Sequence, residues 1–370
     1  MHRELRRGGQ FLIIGIPGPN LDDETRRIID QVQPSGFILF GRNIKNPEQL
    51  HKLILDLRDS VEHEPIITID QEGGRVSRLK EIGQEPPSVK QLRDKGDMHL
   101  FERHGHLTGR ILRLFGFNLN LCPVLDVSFD DEADNSLRNR TFGRNAVEVL
   151  ARARVFTEAM RGEGILSCGK HFPSYASAQV DPHHHLPEIH RTEMELESCE
   201  WIPFRELAAD GQLDSIMIGH IRNRNLDPSG MVSTLSKRVV QGILRDKWGY
   251  DGCVITDDMD MGAILNEYPF EDSIKLAIAA GNDLILICHR TSLAVNAAKC
   301  LSALSEEETQ HSIRRIAKMR KKLAPPYPFS LECFHEIDQQ IWQLRVDTLG
   351  EAQAALRSPD DGKRSPVEIY

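Results

Sequence analysis

The fold of this chain is decided by a short stretch in its second half, Val254-Ile-Thr-Asp-Asp-Met-Asp-Met-Gly262. An apolar run that begins at Cys253 ends abruptly there in two carboxylates, Asp257 and Asp258. The same pattern occurs upstream in Ile66-Ile-Thr-Ile-Asp70, where a second apolar run ends in an aspartate. Buried parallel strands that present a polar group at their C-terminal tips are typical of α/β barrels. The repeated pattern therefore predicts an enzyme whose active site is a ring of strand ends.

Eight apolar runs of strand length alternate along the chain with amphipathic stretches of helical period. The runs are continuous rather than alternating, which suits strands buried on both faces of a parallel sheet. No Gly-x-Gly-x-x-Gly turn follows the first run, which disfavours an open dinucleotide-binding sheet. The predicted fold class is α/β, a TIM-type (β/α)8 barrel in a single catalytic domain. The predicted strands are 11–15, 36–40, 66–69, 117–121, 166–170, 215–219, 252–256 and 283–287, and the main predicted helices are 47–58, 147–161, 193–210, 236–247 and 271–280.

The barrel is expected to occupy residues 1–323, and residues 324–370 are expected to form a C-terminal helix and a disordered tail. A charged helical pattern over 306–322 ends before Pro325-Pro-Tyr-Pro328, because proline cannot continue a helix. A last helix is predicted over 334–349. The polar stretch over 357–366 lacks the apolar side chains that packing requires, so it is expected to be disordered.

Composition narrows the possible partners and the compartment. The formal net charge is -9, with 40% apolar and 27% charged residues, so a nucleic-acid surface is not expected. No apolar window is long enough for a membrane helix, so no membrane partner is expected. The seven cysteines are scattered without a Cys-x-x-Cys pair, which fits buried free thiols in a reducing compartment. We therefore expect a cytoplasmic protein.

The segment Asp70-Gln-Glu-Gly-Gly-Arg-Val-Ser-Arg78 is the first candidate for chemistry. Its acid stands at a strand end, and its two glycines let the backbone turn sharply and approach a ligand. Arg75 and Arg78 can donate forked hydrogen bonds, which suits a polyhydroxylated or carboxylated ligand. A structural turn with a surface ion pair is the alternative. Further along, Arg140 in Arg140-Thr-Phe-Gly143 is either a ligand contact or a solvated loop residue.

The second candidate is the segment that begins with Lys170 and His171 at the end of the fifth predicted strand. The loop after it carries Asp181 and His183, two residues apart. A carboxylate beside an imidazole can orient the ring and stabilise its charged form, and such a histidine is a competent general acid/base. Three consecutive histidines, 183–185, also suggest a metal site or simply a solvated loop. Because consecutive side chains point in different directions, no metal site is predicted.

Asp257 and Asp258 should not share one role, because neighbouring residues of a strand face opposite sides. One of them is expected to face the barrel mouth. The other is expected to cap the following helix or to bind backbone groups.

Six segments, in this order along the chain, together resemble glycoside hydrolase family three. Within that family they look most like the bacterial β-N-acetylglucosaminidases of peptidoglycan recycling. The resemblance implies a TIM-type barrel and a retaining mechanism through a covalent glycosyl-enzyme, with no cofactor and no metal. The segments are Gly36-Phe-Ile-Leu-Phe-Gly-Arg-Asn43, Ile69-Asp-Gln-Glu-Gly-Gly-Arg-Val76, Asn120-Leu-Cys-Pro-Val-Leu-Asp-Val127, Arg140-Thr-Phe-Gly143, Lys170-His-Phe-Pro173 and Val254-Ile-Thr-Asp-Asp-Met259.

The resemblance also implies a role for each matching residue. The nucleophile is Asp257, and the acid/base is His183 of the Asp181-Pro-His183 pair, with Asp181 as its partner. The implied substrate is a small carbohydrate, an N-acetylglucosaminyl-anhydromuramyl fragment. The residues implied to contact the sugar hydroxyls are Asp70, Arg78, Arg140, Lys170 and His171.

One segment departs from the family pattern. The branch usually reads Lys-His-Phe-Pro-Gly-His-Gly, and here Ser174-Tyr-Ala176 stands in place of Gly-His-Gly. Losing two glycines stiffens the loop, and Tyr175 introduces a large aromatic ring. The open alternatives are a β-glycosidase of different sugar preference, a phosphorylase, or a catalytically weak sugar-binding barrel.

Overall fold

The structure, a computed structural model, describes residues 2–131, 136–178 and 186–358. Eight of its strands close into a parallel barrel in chain order, and the first of them pairs with both the second and the last. The predicted TIM-type barrel is therefore confirmed. The strands are β1 (Leu12–Gly15), β2 (Gly36–Leu39), β3 (Ile66–Ile69), β4 (Gln71–Gly73), β5 (Val76–Ser77), β6 (Leu119–Asn120), β7 (Leu166–Phe172), β8 (Ser215–Ile218), β9 (Cys253–Asp258) and β10 (Leu284–Ile287), of which β4 and β5 form a separate antiparallel hairpin.

The helices surround the barrel, and a π-helical segment, Arg238–Lys247, stands between β8 and β9. None of the helices in the described part of the chain is long and apolar enough to cross a membrane. The α-helices are α1 (His2–Gly9), α2 (Asp23–Val32), α3 (Pro47–Asp59), α4 (Val89–Lys95), α5 (Met98–Phe115), α6 (Ala146–Gly162), α7 (Glu193–Ser198), α8 (Ile202–Ala209), α9 (Gly262–Leu265), α10 (Phe270–Ala280), α11 (Leu293–Ser302), α12 (Glu306–Arg320), α13 (Leu331–Leu349) and α14 (Glu351–Ala354).

The barrel strands are buried on both faces, as their continuous apolar sequences predicted. Side chains such as Ile13 and Ile67 are completely inaccessible, because the surrounding helices cover the outside and the packed barrel fills the inside. Among the barrel-strand residues that the structure describes, Asp257 alone is partly exposed. The exception marks the place where the barrel interior opens to a ligand.

Several predicted strands differ in extent from the observed ones, including β9, which ends at Asp258, two residues beyond its predicted end. The predicted strand over 117–121 is only the two-residue β6, and the side chains beside it carry part of the pairing. Asn118 Oδ1 accepts a hydrogen bond from Ile67 N at 2.8 Å, and Asn120 Oδ1 accepts one from Gln71 N at 3.0 Å. In the other direction, β7 continues to Phe172, two residues beyond its predicted end.

The predicted helix over 193–210 is two helices, α7 and α8, that meet at an irregular backbone near Cys199. The predicted capping box at its start is confirmed, since Thr192 accepts from Glu195 N and Glu195 accepts from Thr192 N. The helical pattern continues across the break because Leu196 and Phe204 are both fully buried against the barrel. Helices α1, α2, α4, α5 and α11 lie outside the main predicted helices.

Helix α13 packs against α5 and holds the chain that precedes α4. Phe334 of α13 meets Phe115 with ring centroids 5.7 Å apart. Arg345 forms an ion pair with Glu85 at 3.2 Å. The predicted disordered tail lies mostly in 359–370, outside the described residues.

Candidate active site

The carboxyl ends of the barrel strands surround a cavity of about 630 Å³, counted to its open mouth. One part of its wall is charged or polar and the rest is apolar. Six of the eight predicted site residues line it together. The polar part is Asp70, Arg78, Arg140, Lys170, His171, Tyr175, Asp257 and Asp258, and the apolar part includes Phe40, Val76, Leu121, Met217, Met261 and Leu286.

A buried cluster of alternating charges forms one side of the cavity. Lys170 Nζ lies 2.6 Å from Asp70 Oδ1 and 2.7 Å from Glu72 Oε1. Arg140 places its fork on Glu72, with Nε 2.8 Å from Oε2 and Nη2 2.7 Å from Oε1. Arg78 Nη2 approaches Asp70 Oδ2 at 3.8 Å. Lys170 and Arg140, which line the cavity, are thus both held in place by the carboxylate of Glu72.

The members of this cluster stabilise one another's charges. Burial alone would raise the pKa of Glu72, but Arg140 and Lys170 hold that pKa far below its ordinary value. Burial alone would lower the pKa of Lys170, but Asp70 and Glu72 hold it above its ordinary value. Burial likewise opposes the charge of Arg140, but Glu72 holds the pKa of its guanidinium above the ordinary value, so Arg140 and Lys170 both favour the charged, hydrogen-bond-donating form.

His171 is oriented by the fully buried Asp126. Its Nδ1 lies 2.8 Å from Asp126 Oδ2, and its backbone N donates to the same oxygen at 3.0 Å. Because a carboxylate only accepts, Nδ1 carries a hydrogen. The ring then presents Nε2 as the atom available to a ligand in the cavity that His171 lines.

The two neighbouring aspartates at the end of β9 have the different environments that strand geometry predicts. Asp258 Oδ1 accepts hydrogen bonds from the backbone N of Asp260 and of Cys288, both at 3.0 Å. Burial, together with the nearby charge of Asp260, raises the pKa of Asp258 to about 8. Asp258 therefore favours its neutral form more than an ordinary aspartate does, and its Oδ1 binds backbone N–H groups.

Asp257 instead lines the cavity with a partly exposed side chain. Its Oδ1 accepts from the backbone N of Asp258 at 2.9 Å. Its Oδ2 lies 3.4 Å from the hydroxyl of Tyr175, which donates to it. Both oxygens thus accept hydrogen bonds, and the side chain is partly exposed on the cavity wall.

The predicted acid/base pair, Asp181 and His183, lies outside the described residues, which end at Ala178 and resume at Leu186. The consecutive histidines that suggested a metal lie in the same stretch. Within the described ranges, no group of three His, Cys, Asp or Glu side chains is arranged to hold a metal ion.

The described residues of the site include four that were not among the predicted site residues: Asp258, which was expected to bind backbone groups or cap a helix, and Glu72, Asp126 and Tyr175. Glu72 lies in β4 of the separate hairpin, and its sequence position alone gave no sign that it would pair with Arg140 and Lys170. Asp126 follows an apolar run in the same way as Asp70 and Asp257 do. Tyr175 was recognised as a departure from the family pattern, but its contact with Asp257 depends on tertiary folding.

A closed (β/α)8 barrel with acids and cations gathered at its carboxyl-terminal mouth defines the class: a TIM-barrel enzyme with a site for a polar ligand. The chain belongs to glycosyl hydrolase family 3, because the model of the family's N-terminal domain matches residues 5–319. It is therefore a glycoside hydrolase.

Individual relatives agree with this membership. A protein of Tolumonas auensis named Beta-hexosaminidase is 32% identical over 291 residues, covering 77% of this chain and 84% of the relative. A glycoside hydrolase family 3 beta-N-acetylglucosaminidase from Paenibacillus superposes with a TM-score of 0.84 at 29% identity, covering 93% of this chain and 68% of that one. Native NagZ from Neisseria gonorrhoeae gives a TM-score of 0.76 at 26% identity, covering 90% and 97%.

Proposed function

We propose that this chain is a retaining β-N-acetylhexosaminidase that removes terminal β-linked N-acetylglucosamine through a covalent glycosyl-enzyme. One observation carries the proposal: Asp257 is a partly exposed carboxylate at a strand end, facing the cavity with both oxygens oriented. A retaining glycosidase needs such a carboxylate beside the anomeric carbon. The names of the relatives, beta-hexosaminidase and beta-N-acetylglucosaminidase, support the choice of sugar.

In the first half of the proposed reaction, an oxygen of Asp257 attacks the anomeric carbon and the glycosidic bond breaks. His183, oriented by Asp181, gives its proton to the departing oxygen. In the second half, His183 takes a proton from water, the water oxygen attacks the same carbon, and Asp257 is released. Two inversions give net retention.

The charged wall is proposed to hold the sugar hydroxyls. Asp70 accepts hydrogen bonds from hydroxyls, and Lys170, Arg78 and Arg140 donate them. Since Glu72 fixes Lys170 and Arg140 from behind, these donors need no reorganisation when the sugar binds. The apolar wall, which includes Met217, covers the C–H faces of the ring.

The natural substrate is proposed to be an N-acetylglucosaminyl-anhydromuramyl fragment of peptidoglycan, cleaved in the cytoplasm. The support is the ordered set of sequence segments shared with that branch of the family, together with the structural likeness to NagZ. A β-glycosidase or phosphorylase of different sugar preference is the second candidate. It is favoured by Tyr175, which replaces the branch's usual histidine and lines the cavity.

An assay with chromogenic aryl β-N-acetylglucosaminide and aryl β-glucoside, with and without phosphate, tests the proposal. The wild type should turn over the N-acetylglucosaminide faster, and phosphate should leave the product unchanged. Asp257→Asn should lower kcat by roughly a thousandfold or more, and His183→Ala should also lower it strongly. Asp258→Asn is the comparison for the neighbouring carboxylate, whose Oδ1 binds backbone N–H groups, and it should lower kcat far less than Asp257→Asn does.

Three outcomes would contradict the proposal. Turnover of neither glycoside by the wild type would remove the enzyme assignment for this sugar class. Preference for the glucoside, or a glycosyl phosphate product, would favour the second candidate. Equal loss in Asp257→Asn and Asp258→Asn would remove the assignment of the nucleophile.

A further inference from the structure

We infer that Tyr175 is a positioning residue for the reaction proposed above: its hydroxyl, oriented by the backbone N–H of His220, holds the carboxylate of Asp257 in its attacking position. The inference rests on the proposed function, because it assigns to Asp257 the role of nucleophile. It assigns a role to Tyr175, the aromatic residue that replaces the usual histidine of the family pattern.

The hydroxyl of Tyr175 has its hydrogen directed by its surroundings. It accepts a hydrogen bond from the backbone N of His220 at 2.8 Å. A hydroxyl that accepts one hydrogen bond can still donate its own hydrogen in another direction. Asp257 Oδ2 lies 3.4 Å away, so the carboxylate receives a donor in addition to the backbone N of Asp258.

The donor behind the hydroxyl is itself fixed. His220 Nε2 lies 2.9 Å from the backbone O of Asp258, and its Nδ1 lies 2.7 Å from Thr234 Oγ1. Since a carbonyl only accepts, Nε2 carries the hydrogen and Nδ1 accepts from the threonine. The imidazole therefore ties the end of β8 to the end of β9, and the two strand ends that flank Tyr175 and Asp257 cannot separate freely.

The side chain of Tyr175 is buried, with 1% of its surface exposed, and its neighbours hold it in place. Its backbone N donates to Asp126 Oδ1 at 2.6 Å, and its ring centroid lies 4.9 Å from that of His171. On the far side, Gly219 leaves just enough space, since a Cβ there would lie 2.8 Å from the tyrosine Cζ. A residue held from three directions places its hydroxyl with little freedom.

The backbone before Tyr175 is in a conformation that favours glycine. Ser174 has φ 141°, and the related family pattern has glycine at this position. Non-glycine residues persist in such conformations only when their surroundings hold them there, and they concentrate at functional sites. Here Trp201 Nε1 fixes the carbonyl of Pro173 at 2.9 Å, and Asp126 fixes the backbone N of Tyr175. The positive φ of Ser174 is thus held next to Tyr175, the residue whose hydroxyl contacts Asp257.

A purely structural tyrosine would also be buried, so the test must separate packing from positioning. Tyr175→Phe removes only the hydroxyl. Tyr250→Phe is the matched control: Tyr250 is also buried, and its hydroxyl donates to the backbone O of Leu213 at 3.3 Å. Both variants are compared with the wild type by kcat and KM on aryl β-N-acetylglucosaminide across a pH series, and by thermal unfolding.

Tyr175→Phe should lower kcat about 10- to 100-fold, which corresponds to loss of a hydrogen bond to a charged group, with KM nearly unchanged. The acidic limb of the kcat/KM profile should move to higher pH, because a carboxylate that loses a donor is protonated more easily. Tyr250→Phe should leave kcat and this limb unchanged. Both variants retain the other titratable and charged groups that the described residues place around the pair: Asp70, Arg78, Arg140, Lys170, His171, His220 and Asp258.

The inference is overturned if the wild type is active and Tyr175→Phe retains the wild-type kcat and acidic limb. Inactivity of the wild type on every glycoside would instead overturn the proposed function and, with it, the inference. If Tyr175→Phe does not fold, Gly219→Ala takes its place, because its methyl group displaces the ring while the hydroxyl is retained. That variant should show the same fall in kcat and the same shift, and wild-type behaviour would overturn the inference.

Discussion

Replacing Glu72 with glutamine tests the charged cluster on which the proposed sugar site depends. Glu72 is 2% exposed and makes three close contacts, two with Arg140 at 2.8 and 2.7 Å and one with Lys170 at 2.7 Å. Glutamine preserves the shape but removes the charge and one acceptor. Lys170 would keep its ion pair with Asp70, whereas Arg140 would lose the carboxylate that its Nε and Nη2 contact.

The size of the effect follows from the burial of the cluster. Removing one partner of a buried ion pair destabilises a protein by about 3–5 kcal/mol, because an uncompensated charge is left inside. At about 2.1 cal/mol/K per residue, the unfolding entropy of a chain of this length is roughly 0.8 kcal/mol/K, so Tm should fall by about 4–6 °C. Glu158→Gln, an exposed glutamate on α6, should stay within about 0.5 kcal/mol of the wild type.

The pH dependence gives a second, independent check. The folded pKa of Glu72 lies below its ordinary value of 4.5, so its stabilising contribution is fully present above that pH. The contribution is lost as pH falls towards the folded pKa, by about 1.4 kcal/mol per pH unit. The difference in unfolding free energy between wild type and Glu72→Gln should therefore stay constant between roughly pH 6 and pH 8. It should shrink when the pH falls below 4.5.

Urea unfolding followed by circular dichroism at several pH values measures this difference. A difference below about 1 kcal/mol at neutral pH would refute the reasoning, because leaving a buried cation without its carboxylate should destabilise the protein by more than that. A difference that widens on acidification would refute the assignment of the charge to Glu72.

Two further predictions concern the residues around Asp257. Asp258 has a folded pKa raised to about 8 from 3.8, so its contribution to stability is fully present below 3.8 and is lost as pH rises through 8. Asp258→Asn, which mimics the neutral form, should therefore be more stable than the wild type at alkaline pH and should show a flatter stability profile in urea titrations; an unchanged slope would contradict the raised pKa. Ser174→Gly should raise the unfolding free energy by about 1 kcal/mol, because relief of the backbone conformation at φ 141° exceeds the entropy that glycine adds to the unfolded chain. Thermal unfolding measures this change, and a lower Tm would show that Ser174 is not strained.

The sequence predicted the barrel well because burial on both faces leaves a signal in every strand. Continuous apolar runs identified all eight strands, and acids at two of their ends located Asp70 and Asp257. Helix boundaries were predicted less well. The apolar face of α7 continues into α8, so periodicity alone gave no sign of the break near Cys199.

The contacts within the site were the least predictable from sequence. Tyr175 and Asp257 are 82 positions apart, and they meet only because β7 and β9 both end at the cavity and Gly219 on the chain between them leaves room for the ring. The conformation of Ser174 is likewise imposed by Trp201 and Asp126 rather than by its own preference. Motif spacing thus located the residues of the cavity, whereas tertiary packing decides how Asp257 is held.

The central claim, a covalent glycosyl-enzyme on Asp257, is tested most directly by trapping it. The enzyme is incubated with a slowly hydrolysed fluorinated N-acetylglucosaminyl donor, and its peptides are analysed by mass spectrometry. One glycosyl group should be found, on the peptide that contains Asp257, and Asp257→Asn should remain unlabelled. A label on another residue, or inactivation without any covalent adduct, would contradict the account.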